Sequence, residues 1–295
     1  MNLCRSSVVD LSRGGPQNSN FFIFMMVLEI DNSPDLQQKK SSYALSGERA
    51  ASQSEGVFPL CKPAGVSSFR MVQLVRRILG IKKVGHTGTL DPFASGVLVL
   101  CAGRPATKLI SQLMEGDKEY EATLQLGVIT DTQDTEGKVV EKRPVGDITP
   151  QDITECLARF TGEQLQTPPA YSALKHNGKP LYYYARKGIE VVKEPRLITI
   201  KELQYIAQTR ETITLKIVCS KGTYIRTLAA DIGEFFGCGA HLIKLTRTRN
   251  GFFSLDESLP GERLFAEETG RPLLDSHRIS VERVKELLAG SREKN

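Results

Sequence analysis

The sequence predicts a mixed α/β fold from two periodicities: apolar residues recur every three to four positions in some segments and every second position in others. A helix is expected after Ser67 and Ser68, whose hydroxyls suit an N-cap, with Met71, Leu74, Val75 and Ile78 on one face and Gly80 as its stop. Tyr120, Ala122, Leu124, Leu126 and Val128 alternate with more polar neighbours, as a half-buried strand does. Thr149-Pro150-Gln151-Asp152 opens a second helix that turns Ile153, Leu157 and Phe160 inward. Ile213, Leu215, Ile217 and Cys219 form another alternating run, followed by a helix with Leu228, Ile232 and Phe235 as its inward stripe. Val281, Val284, Leu287 and Leu288 give a last helical pattern, and no repeat of solenoid length is visible.

The chain of 295 residues is 40% hydrophobic and 25% charged, globular usage at a length that needs no covalent staples. Its formal charge of +5 is unevenly placed. Residues 56–110 carry eight Lys or Arg and a single carboxylate, Asp91, whereas residues 255–295 carry nine acidic and seven basic side chains. A basic region of this kind attracts a polyanion. Asp91 lies in Gly85-His86-Thr87-Gly88-Thr89-Leu90-Asp91-Pro92-Phe93-Ala94-Ser95-Gly96. A carboxylate held near cations stays ionised and available at neutral pH, whereas the simpler role for Asp91 is to cap a turn before Pro92.

Six cysteines lie scattered without a C-x-x-C pair, so neither a disulfide framework nor a zinc ribbon is indicated and a reducing, cytoplasmic setting follows. Cys238 and His241 have ligand-like spacing but too few partners nearby, and no metal is expected. Residues 1–55 are polar around a short apolar run at 21–28 and read as a poorly ordered extension. That run is too short to span a bilayer. An organelle-targeting leader, with Arg5 and Arg13 against Asp10, and a later start at Met25 or Met26 both stay open.

Five collinear blocks carry a resemblance. Besides the Asp91 segment they are Lys62-Pro63-Ala64-Gly65-Val66-Ser67-Ser68, Asp117-Lys118-Glu119-Tyr120, Tyr171-Ser172-Ala173-Leu174-Lys175, and Cys219-Ser220-Lys221-Gly222-Thr223-Tyr224-Ile225-Arg226-Thr227-Leu228. From about residue 56 to residue 250 the chain resembles the TruB family of tRNA pseudouridine-55 synthases. The resemblance implies a catalytic domain over 56–295 with a largely antiparallel sheet flanked by helices. It implies an isomerase that breaks the N1–C1′ bond of uridine, turns the base and rejoins it through C5. That rearrangement adds no group and has no net redox change, so no cofactor is called for.

The same resemblance assigns roles. Asp91 is implied as the catalytic carboxylate, with Arg226 holding it and lowering its pKa. Tyr120 is implied to stack on the target base and help remove the C5 proton. His86 resembles the histidine that fills the gap left by the extruded base. Tyr224 and Leu245 match positions lining the uracil pocket, with Lys62 and Lys108 near its rim. Attack at C1′, proton removal from C2′ and addition to the base all remain open for Asp91.

Residues 167–196 mix basic and aromatic side chains, among them Tyr171, Lys175, Lys179 and Arg186, which suits an RNA surface. In the family this stretch is a mobile insertion that closes over the T-arm of tRNA. Family members from bacteria usually carry a PUA-type domain after the catalytic one; the 45 residues after Asn250 are too few for it, and a C-terminal helical segment at 251–295 is expected instead. The expected partner is tRNA, bound by a monomer, with no membrane or protein partner implied. Two other classes stand beside this one. A non-catalytic tRNA-binding or folding protein would need the basic surface but not Asp91, Tyr120 and Arg226 together. A hydrolase would need a second carboxylate near Asp91, which its basic segment does not supply.

Overall fold

The computed structural model describes residues 54–292. The expectations for residues 1–53, including a leader or a later start, lie outside the described residues. The chain runs through β1 (Gly56–Lys62), α1 (Ser68–Leu79), β2 (Val84–His86), β3 (Ser95–Ala102), β4 (Lys118–Leu126), β5 (Val128–Thr130) and β6 (Val139–Lys142). It continues through α2 (Pro150–Phe160), β7 (Gly162–Gln166), β8 (Lys175–His176), β9 (Lys179–Pro180), β10 (Arg196–Gln208) and β11 (Thr212–Cys219). The last elements are α3 (Ile225–Phe235), β12 (Ala240–Asn250), β13 (Phe253–Ser254), β14 (Leu259–Pro260), α4 (Glu267–Ser276) and α5 (Val281–Arg292).

A ten-stranded sheet runs in the order β14-β1-β3-β12-β4-β11-β10-β7, with β2 beside β3 and β13 beside β12. Its pairings are antiparallel except β1 with β14 and β3 with β12. The expected mixed, largely antiparallel architecture is therefore observed. Among the described residues no helix is long and apolar enough to cross a membrane.

Both faces of β1 and β3 are buried, which explains the unbroken apolar run of β3. Leu98 and Leu100 join the large core with Phe58, Leu60 and the inward faces of α1, α2 and α3. Val97, Val99 and Cys101 point the other way, into a smaller core closed by Val281 and Val284 of α5. Burial on both faces demands apolar residues at every position instead of alternate ones.

The helix ends follow the predicted cap chemistry. Ser67 accepts from the Arg70 amide and Gly80 stops α1 in the left-handed region at φ 66°. Thr149 and Asp152 close a reciprocal capping box around Pro150, the first residue of α2. Two expected core positions fall elsewhere. Strand β4 stops at Leu126, because Gly127 at φ 76° turns the chain, and Val128 starts β5 half-buried. Phe235 ends α3 with 42% of its surface exposed, beyond the reach of the core that holds Leu228 and Ile232.

One glycine fixes the geometry beside the Asp91 segment. Gly96 has φ 105°, and a Cβ there would lie 2.2 Å from the Arg247 carbonyl oxygen. Only a residue without a side chain lets β3 approach β12 this closely.

Candidate active site

Asp91 sits in the loop joining β2 to β3, and buried polar side chains hold that loop from several sides. Ser68 Oγ donates to the Leu90 carbonyl and accepts from the Leu90 amide, each at 2.9 Å. Arg247 Nε donates to Val97 O at 2.7 Å and Nη2 donates to Gly88 O at 3.1 Å. Asn250 donates to Thr87 Oγ1 at 3.1 Å. Lys62 Nζ donates to the carbonyls of Pro63, Val66 and Pro92 at 2.9, 2.6 and 3.2 Å. All of these contacts except that of Asn250, which joins two side chains, satisfy a backbone group that would otherwise lack a partner.

Arg226, at the start of α3, lies with its Nε 2.9 Å from Asp91 Oδ2. Its Nη1 donates to Thr132 O at 2.8 Å and stands 3.4 Å from Asp134 Oδ2, while Nη2 donates to Tyr171 O at 2.7 Å. The guanidinium is buried, and the Asp91 side chain keeps 34% of its surface open. A planar fork pinned on three edges presents one carboxylate in one orientation.

The electrostatics correct one expectation. Burial pushes the Asp91 carboxyl above its ordinary value, and Asp134 adds to the rise; Arg226 opposes both without overturning them. The lowering expected from Arg226 is therefore present but does not set the net direction, because the desolvation that strengthens the ion pair also penalises the charge. The second acid was hidden in the sequence, since Asp134 lies more than forty residues along the chain and reaches the site through the turn after β5. The Asp91 segment is thus not the only source of acid in this site.

Two connected lobes meet at Asp91. One, of about 330 Å³, is lined by Tyr120, Tyr224, Leu245, Lys118 and Arg247. The other, of about 760 Å³, is lined by His86, Phe69, Tyr171, Tyr182 and Arg186. Asp91 and Arg226 border both, and both volumes fall within the ~300–1,000 Å³ usual for small-molecule sites.

A bulge places two of these side chains. Opposed residues of paired strands share a face, and β12 opposes Leu242 to Leu124, Leu245 to Ala122 and Arg247 to Tyr120. The extra residue between Leu242 and Lys244 resets the alternation, so Leu245 and Arg247 face the same side as Tyr120. Simple period-two reading misses this, and Arg247 was missed with it. Burial raises the Tyr120 phenol, which stays protonated at neutral pH, and also raises Tyr224. Burial and the nearby Arg247 keep His86 below its usual value.

Two predicted residues, Lys62 and Lys108, lie away from the rim expected of them. Lys62 is fully buried, its ammonium pushed down to about 8 by desolvation, and it clamps carbonyls beneath the loop where a rim position was expected. The carbonyls of Pro63, Val66 and Pro92 converge there, and a buried ammonium is drawn to them. Lys108 is exposed in a separate groove with Arg76, Lys83 and Arg104, because the short helical turns after β3 carry it away from both lobes. Lys175 and Lys179 stand exposed on the β8–β9 hairpin, with Lys179 Nζ 4.5 Å from the centre of the Tyr183 ring. Cys238 and His241 have their own partners, the sulfur facing Gly233 O at 4.0 Å and the imidazole 2.9 Å from Val128 O.

Comparison with known proteins agrees with this geometry. Residues 76–225 match the family model described as TruB family pseudouridylate synthase (N terminal domain). Residues 226–268 match one described as tRNA pseudouridylate synthase B C-terminal domain. A protein named tRNA pseudouridine synthase B from Desulfotalea psychrophila is 53% identical over 79% of this chain and 96% of its own length. One of the same name from Chromobacterium violaceum is 52% identical over 69% of this chain and 66% of its own. Among solved structures, one titled "Crystal Structure of a Cbf5-Nop10-Gar1 Complex" superposes with TM-score 0.60 at 27% identity. That likeness covers 80% of this chain and 63% of the other.

Proposed function

The chain belongs to the TruB family of pseudouridylate synthases, and from that premise we propose that it isomerises uridine 55 in the T-arm of tRNA to pseudouridine. The observation that carries this reading is the Asp91–Arg226 ion pair at the junction of two lobes, buried on one side and open on the other. An extruded base needs one lobe for itself and another for the strand it leaves. Tyr120, Tyr224 and Leu245 make the first a flat, mostly apolar slot, and His86 faces the second.

In this account Asp91 acts on the ribose or the base while Arg226 keeps its carboxylate aimed. The N1–C1′ bond breaks, the uracil turns, C5 bonds to C1′, and the C5 proton leaves as N1 gains one. Tyr120 stacks on the base; because its phenol holds its proton, its hydroxyl serves as a hydrogen-bonding relay in place of a standing phenolate. Residues 167–196 supply the RNA-facing surface, with Tyr171, Lys175, Lys179 and Arg186 contacting the T-arm. A single chain in a reducing, cytoplasmic setting suits the free cysteines, of which Cys101, Cys156 and Cys219 are buried with thiols pushed up to about 12.

Incubating the protein with unmodified tRNA transcript and mapping pseudouridine chemically tests the proposal. Pseudouridine at position 55 is the expected product. RNA binding without any isomerisation would favour the non-catalytic tRNA-folding alternative.

A further inference from the structure

Gln166 ends β7 with 5% of its surface exposed, and its carboxamide is directed at one residue of another element. The Tyr224 amide donates to Gln166 Oε1 at 2.8 Å, and Gln166 Nε2 donates to the Tyr224 carbonyl at 3.1 Å. A donor and an acceptor in one planar group, both paired with the same residue, fix that residue in position and in rotation.

Tyr224 is the N-cap of α3, where the first turn leaves backbone N–H groups without helical partners. A Glu or Gln at the third position of a helix can reach back to that amide. Here the third position is Thr227, whose hydroxyl donates instead to Gln133 Oε1 at 3.3 Å, and Tyr224 supplies no side-chain cap of its own. The amide is satisfied from 58 residues upstream.

Two parts of the site hang from this clasp. The Tyr224 ring lines the lobe that also holds Tyr120 and Leu245. Arg226, two residues on, sets its Nε 2.9 Å from Asp91 Oδ2. The chain beyond Gln166 returns to the same turn, since the Tyr171 carbonyl accepts from Arg226 Nη2 at 2.7 Å. Gln164, two residues earlier on β7, donates to Phe160 O at 2.7 Å and borders neither lobe.

We propose that Gln166 is a positioning residue for the isomerisation, which by gripping the Tyr224 backbone holds the Tyr224 ring against the base and the Arg226 guanidinium within reach of Asp91. The inference rests on the pseudouridine synthase reading and deepens it, adding a residue that acts through Tyr224 and Arg226.

Three variants test it. Gln166→Met keeps the length of the side chain and removes both partners of Tyr224, Gln166→Asn keeps the amide and withdraws it, and Gln164→Met is the control for losing a carboxamide from β7. KM and kcat are measured on T-arm RNA across pH, together with hydrogen exchange of the Tyr224 amide. A misplacement of about 1 Å can cost about 100-fold in rate, so Gln166→Met should lower kcat by about ten- to a hundred-fold. KM should stay within a few-fold of wild type, and Gln166→Asn should fall between. Arg226 opposes the burial that raises the Asp91 carboxyl, so a loosened Arg226 lets that carboxyl rise further and moves the acid limb of kcat to higher pH. A residue that served folding alone would leave the limb in place, as Gln164→Met should. If Gln166→Met does not fold, Gln166→Asn decides by the same readouts. Wild-type kcat and acid limb in the folded Gln166 variant would overturn the proposal, as would an equal move of the limb in Gln164→Met. A wild-type protein that forms no pseudouridine would sink the functional reading instead; unchanged exchange of the Tyr224 amide in the Gln166 variants would still count against the clasp.

Discussion

The cations beneath the loop that bears Asp91 and the cations on its surroundings look alike in sequence and behave oppositely in the fold. Lys62, Arg226 and Arg247 are buried, and their donors are turned on carbonyls and carboxylates of the protein itself. Lys83, Lys108, Lys175 and Lys179 stand exposed, with their ammonium groups turned to solvent or a tyrosine ring. The first group builds the site, and the second stands open to solvent. Charge count alone does not separate them, whereas donor partners do.

The largest effect should come from breaking the buried group. Arg226→Ala leaves Asp91 and Asp134 facing each other without their shared cation, and the loss of one partner from a buried pair costs about 3–5 kcal/mol. Denaturant unfolding should show that loss together with no detectable turnover. A stable, active Arg226→Ala protein would erase the distinction drawn here.

Arg247→Met keeps the length of the side chain and removes its donors. Each carbonyl left unpaired at Val97 and Gly88 should cost roughly 1–3 kcal/mol, and turnover should fall because the loop bearing Asp91 loosens. Hydrogen exchange of the Thr87 to Ala94 amides would locate the change. Uniform loosening elsewhere would assign Arg247 to general stability instead.

The smallest effect belongs to the exposed set. Lys179→Gln removes a cation from an exposed hairpin, so folding stability should move by less than about 0.5 kcal/mol, while the salt slope of RNA binding falls by about 0.7–0.9. Thermal melting and a salt titration separate the two.

What the sequence disclosed follows the same division. Caps, helix stripes and the parity of Tyr120 were legible because they depend on neighbours a few residues away. Asp91 and Arg226 were paired in advance only through the resemblance; the distance of 2.9 Å is a property of the fold. Arg247 escaped because a bulge resets the period of β12, and Asp134 because a turn distant in sequence delivers it. Lys62 was placed at the rim because nothing local announces three carbonyls converging on one ammonium. Val128 was misplaced by one glycine that ends β4.

Asp91→Asn tests the central claim most directly. A carboxyl whose folded pKa lies above its unfolded value takes up its proton more readily in the folded chain. Its ionised form therefore costs stability at neutral pH, and that cost disappears as pH falls through the raised pKa. For the wild-type enzyme the acid limb of kcat should accordingly lie above the ordinary carboxylate range. The Asn variant, measured beside it, should bind T-arm RNA within a few-fold of wild type, melt no lower, and form no pseudouridine. Turnover at the wild-type rate in that variant would contradict the account.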